Sequence, residues 1–294
     1  MQYAQFHEIC ERAWVSGQAG LGAGIFQVFL FMWLRTVMNV QYAQGGGFIL
    51  TLARLWRFGG VRRLYRGFGY AILQTPLCRF GDTAINTGVE QIFVVYHPQT
   101  IILVRTLFIS LFQSLWRLLL TPLDMLKTLN QVHGRQSGKI LSLRMESTGV
   151  LTLWSGAFMI LFSNFASTYP WFATYNFLQV YVSDESEYPP YFRKAFIGLC
   201  SSIVSDTCVN GLRVIKTAIQ TNQDLGYIRT IQEESKKDSP LGIMTRGLST
   251  RMMINSIQSI FFIITWKLFE GEEVNYQQNL SLNSAKTSDK SIQI

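Results

Sequence analysis

The chain has 294 residues and a formal net charge of +8, with 48% hydrophobic and 14% aromatic residues but only 15% charged. A soluble chain carries about 25% charged residues, so an ordinary water-exposed surface is excluded. The modest mean hydropathy of +0.18 points to amphipathic membrane helices around a wet interior.

The N-terminal stretch Met1–Arg12 is mixed polar and not Arg-rich, so it resembles neither a signal nor a transit peptide. A first span is expected over 13–36, where no charge occurs from Ala13 to Leu34. Its run of Gly17, Gly20, Gly22 and Gly24 lets another helix approach closely. Without a following Lys–Ser/Thr it is not read as a phosphate loop. The connection Thr36–Arg66 holds Arg54, Arg57, Arg62, Arg63 and Arg66 and no acid, with a short helix over Phe48–Trp56. A second span over 70–96 carries Arg79 and Asp82, three apart and so on one helix face.

A short link at His97–Thr100 leads to a third span, 101–127, with Arg117 five residues before Pro122. The connection Thr128–Ser155 adds Arg135, Lys139 and Arg144 against Glu146. A fourth span, 157–183, falls in the charge-free window Ser147–Ser183. After a link near Asp184–Pro190, a fifth span over 192–217 carries Asp206, five before Gly211. A short helix is expected over Tyr227–Lys236 and a sixth span over 248–270. The stretch Gly271–Ile294 is rich in Gln, Asn, Ser and charges and reads as a solvated, disordered tail.

Basic connections stay on the electrically negative side of a membrane; the acids Glu8, Glu11, Asp184, Glu185, Glu187, Glu272 and Glu273 fall on the other side. This pattern accounts for the positive charge without nucleic acid, which is not expected as a partner. Cys10, Cys78, Cys200 and Cys208 lack metal or redox spacing, and His7, His97 and His133 are far apart. No metal, no cofactor and no enzyme activity are expected, because no catalytic Ser–His–Asp arrangement occurs either.

Two landmark series repeat along the chain. Pro122–Leu123–Asp124–Met125–Leu126–Lys127–Thr128 has counterparts at Gly211–Thr217 and, more weakly, at Leu30–Thr36, placing bases at 35, 127 and 216 with spacings of 92 and 89. Tyr65–Arg66–Gly67, Trp154–Ser155–Gly156 and Thr245–Arg246–Gly247 place glycines 89 and 91 residues apart. A period kept by two series in one order marks an internal repeat. The pattern P-x-[D/E]-x-x-[K/R], followed by an aromatic–basic–Gly step, resembles the mitochondrial carrier family over about 13–270. The second motif alone is whole: Leu30 and Met32, and Gly211 and Arg213, replace the proline and acid elsewhere.

The resemblance implies an all-α membrane protein with six transmembrane helices in three pseudo-symmetric repeats around a central cavity. The repeats would occupy 1–97, 98–190 and 191–270, with 271–294 as the tail. It implies a multi-pass solute carrier of the mitochondrial inner membrane, monomeric, with cardiolipin at the matrix side. A helix-breaking proline would bend the third span, whereas Leu30 leaves the first straighter. Asp124 would pair with Lys216 as a matrix gate, Lys127 would face Met32, and Arg35 would face Arg213. Glu90 and Lys267 would form a cytoplasmic gate of reversed polarity, with Asn176 and Gln179 bonding as neutral partners.

Counting seven residues past each glycine gives Gln74, Ser163 and Ile254, with Asn164 and Asn255 adjacent. With Arg79, Asp82, Arg117 and Asp206, these are the candidate substrate-binding residues. Two Arg and two Asp leave a nearly neutral cavity, suited to a small polar or zwitterionic, amino-acid-like solute. Two readings stay open: alternating-access transport, or a degenerate carrier fold serving as a membrane receptor, scaffold or insertase.

Overall fold

The computed structural model describes residues 2–182, 190–222 and 226–258. Among them all regular structure is helical: α1 (Gln2–Gln44), α2 (Phe48–Arg57), α3 (Gly60–Leu64), α4 (Phe68–Tyr96), α5 (Ile102–Leu119), α6 (Thr121–His133), α7 (Ser137–Thr148), α8 (Ala157–Tyr181), α9 (Pro190–Thr221), α10 (Tyr227–Lys237) and α11 (Pro240–Thr245). The chain is helical again over 248–258. Four described stretches are long and apolar enough to cross a membrane, within Phe6–Gln44, Ile102–Leu119, Thr121–Tyr181 and Ala195–Thr221. With 29 residues, α4 reaches about 43 Å at 1.5 Å per residue. It is long enough to span, but Gln74, Arg79, Asp82 and Glu90 make it less apolar.

The helix ends differ from the expected spans in instructive ways. The first helix starts at Gln2, well before 13, and its early turns carry an i,i+4 pair of Glu8 and Arg12 at 2.5 Å. It runs unbroken through Leu30. The expected third span is two helices, with α5 ending at Leu119 and α6 restarting at Thr121. Pro122 stands in the first turn of α6, where its missing N–H costs nothing. Gly211 leaves α9 continuous.

Close helix contacts follow from the glycines. A Cβ at Gly24 would lie 2.6 Å from Pro76 Cα, one at Gly20 2.6 Å from the Arg79 carbonyl oxygen, and one at Gly17 2.5 Å from the Phe80 ring. These three seat α1 on α4, whereas Gly22 faces open space.

Gly67, Gly156 and Gly247 share a left-handed backbone, with φ of +85°, +84° and +67°, which penalises any Cβ. Each abuts another helix: Gly67 meets Lys127 and Asn130 of α6, Gly156 meets Lys216 and Gln220 of α9, and Gly247 meets Gln41 and Tyr42 of α1. Arginines follow the same route. Arg63 donates to the Gln131 and Val132 carbonyls at 2.7 and 2.8 Å. Arg144 donates to the Ile219 and Gln220 carbonyls at 3.0 Å each, and Arg246 donates to the Tyr42 carbonyl at 3.3 Å. Each places a cation on carbonyls that a helix C-terminus leaves without partners. Val37, Met125, Leu129, Val214, Gln131 and Gln220 are fully buried here, so the base-rich end of the molecule is closed.

Candidate functional site

Inside the helices lie two adjoining recesses of about 300 and 500 Å³. Arg79, Asp82, Arg117, Arg213, Arg251 and Asn255 line both, so the recesses form one continuous cavity. Asp124, Lys127 and Lys216 stand in the wall of the smaller one.

Asp124 opens α6 two residues past Pro122, and the restart of the helix turns it inward. It meets Lys216 at 2.6 Å and Lys127 at 3.0 Å, and accepts from Gln220 at 3.2 Å. The pair suggested by the resemblance is thus in contact, but as part of a triad. Lys127 bonds Asp124 on its own helix and donates to Gln74 at 2.7 Å. Gln131, one turn after Lys127, accepts from Asn39 at 2.6 Å.

Arg35 does not meet Arg213. Two turns back along α9 Arg213 finds Asp206. Asp206 also holds Arg251 at 2.9 Å and accepts from Asn255. Arg79 and Asp82, expected to share a face, turn to different partners. Asp82 takes Arg117 in a two-pronged pair at 2.7 and 3.2 Å, and Arg79 donates its Nε–H to Gln27 at 3.1 Å. Arg117 also donates to Asn164 at 3.1 Å. Ser163 is buried in the wall and bonds the Ile160 carbonyl.

Seven of the eight expected substrate-binding residues line the smaller recess, and Asp206 lines the larger. Glu90 is exposed on α4. Its expected partner Lys267 lies outside the described residues. Thr87 bonds Ser16 at 2.8 Å.

The expected near-neutral cavity is corrected. Among the described residues its wall carries seven bases, Arg35, Arg79, Arg117, Lys127, Arg213, Lys216 and Arg251, against three acids, Asp82, Asp124 and Asp206. The excess is four positive charges. Sequence reasoning omitted Arg251, Arg213, Lys127 and Arg35 from the cavity. Arg251 was within reach, because it lies three and four residues before Ile254 and Asn255 and so shares their helix face.

Helices of membrane-crossing length thus surround a charged cavity that is closed at one end. Residues 105–186 match the family model described as mitochondrial carrier protein. The match spans the segment with the whole motif, Pro122, Asp124 and Lys127, and the landmark Gly156. No curated protein matches the chain.

Proposed function

We propose that the chain carries a small anionic solute across the mitochondrial inner membrane by alternating access. The observation that carries this reading is the cavity's charge. Four positive charges in excess favour an anion, and all three carboxylates already hold a base. An ammonium group would find no free acid there, so the amino-acid-like solute gives way to an anion.

Six spans in three repeats remain the architecture proposed. The shared left-handed backbone at Gly67, Gly156 and Gly247, each set against another helix, supports it. On this reading the repeats occupy 1–97, 98–190 and 191–270. The Asp124–Lys216 contact acts as the matrix gate, and Glu90 with Lys267 as the cytoplasmic one. Basic connections put the closed end in the matrix, where cardiolipin would bind the monomer.

Uptake into liposomes containing the purified protein tests the proposal, against a panel of anions, zwitterions and cations. Uptake confined to anions is expected. Uptake of zwitterions or cations alone would overturn the charge reading, and none at all would favour the scaffold reading.

A further inference from the structure

The cavity's excess charge is not spread evenly. Lys127 and Lys216 share Asp124, and Arg213 and Arg251 share Asp206, so each triad keeps a single positive charge. Arg117 is neutralised by Asp82. Arg35 and Arg79 form no salt bridge among the described residues, and Asp82, which lies within electrostatic range of Arg79, is already held by Arg117.

Both arginines line the smaller recess, one from α1 and one from α4. Each lies within electrostatic range of Arg117, and Arg35 also of Arg79 and Arg251. Gln27 takes only the Nε–H of Arg79, which leaves both terminal nitrogens to donate. Arg35 makes no hydrogen bond among the described residues. Gln74, Thr75 and Asn39 line the same recess. A guanidinium presents a planar fork that matches two oxygens of one carboxylate or phosphate.

We propose, on the carrier reading above, that Arg35 and Arg79 together bind a doubly charged oxyanion, a small dicarboxylate or inorganic phosphate. Arg35, Arg79 and Arg117 against the single acid Asp82 leave two positive charges, which set the valence of the ligand, and the guanidinium forks set its chemistry. Arg35 stands at the position where the repeat places the base of a gate. In this chain the acid that would answer it is replaced by Arg213. The bound anion takes that acid's place: it neutralises Arg35 and joins α1 to α4 beside the closed end. Solute binding and closure of the matrix side are then one event.

The test is a binding measurement on the full-length protein in detergent, independent of transport. Thermal unfolding is followed while inorganic phosphate, malonate or chloride is added at matched ionic strength. Phosphate or malonate should raise the unfolding temperature saturably, and chloride should not. Arg35→Gln and Arg79→Gln should each weaken half-saturation at least tenfold. Without anion, Arg35→Gln should unfold no earlier than the wild type, since it removes a cation set among cations; this separates loss of the site from loss of the fold. No shift with either dianion, or a shift that survives both substitutions, would overturn the assignment. Binding without uptake in liposomes would keep the site and remove the carrier reading. Uptake with no such binding would do the reverse.

Discussion

Replacing Asp124 by Asn should do more damage than removing either lysine it holds. The side chains of Asp124, Lys127 and Lys216 are at most 19% exposed, so the triad behaves as a buried ion cluster. Breaking a buried pair by deleting one partner costs about 3–5 kcal/mol, because the other charge stays behind uncompensated. Asp124→Asn leaves two such ammoniums. Lys216→Met leaves Asp124 with Lys127 at 3.0 Å and with Gln220; it loses a charged bond worth about 1.5–3 kcal/mol, offset in part because the repulsion between the two ammoniums goes with it. At about 1.4 kcal/mol per tenfold, the aspartate change shifts the closed-to-open ratio by roughly 100-fold or more, and the lysine change by roughly tenfold. The assay is labelling of a cysteine placed at Thr128, which is buried in the cavity wall, in a cysteine-free background with an impermeant reagent on the matrix side. Asp124→Asn should label rapidly and Lys216→Met slowly. A charge swap of Asp124 with Lys216 should recover only part of the closure, since the new lysine would sit beside Lys127. Equal labelling of the two single variants, or no labelling of Asp124→Asn, would refute the triad as the closing contact.

Other consequences follow from packing and titration. Gly24→Leu should destabilise the fold by about 1–3 kcal/mol, because the new side chain would overlap Pro76, while Gly22→Leu should be neutral; unfolding temperatures compare them. Arg144→Met should lower the unfolding temperature by removing two cationic bonds to helix-end carbonyls, each worth about 1.5–3 kcal/mol. Glu234, fully buried beyond the spans, is raised by burial but lowered more by its bonds from Lys237 and Arg246, and its carboxyl lies below the ordinary glutamate range. Its contribution is therefore full above the unfolded value and is lost as pH falls below about 4 through the depressed one. The stability gap between wild type and Glu234→Gln should be widest above pH 5 and should close in acid.

Helices were legible because charge-free runs and basic connections are dictated by the bilayer itself. The short helices over Phe48–Arg57 and Tyr227–Lys237 fall within a residue of the ends read from the sequence. Helix continuity through Leu30 and the break before Pro122 follow from backbone chemistry, and both were legible. Side-chain partners were not. Arg213 has one nearby acid two turns back on its own helix, and Asp82 chooses Arg117 on another helix over Arg79 on its own. Such choices depend on how helices rotate against each other, which spacing within one helix does not encode. The cavity's net charge was misjudged for the same reason, as counting by position passed over Arg251 one turn before Ile254.

Alternating access is tested most directly by the dependence of initial uptake rate on solute concentration, measured in liposomes with and without the same solute inside. A carrier with an anion site between alternating gates should saturate, and solute on the far side should accelerate entry. A rate that rises linearly without limit and ignores the solute inside would contradict it.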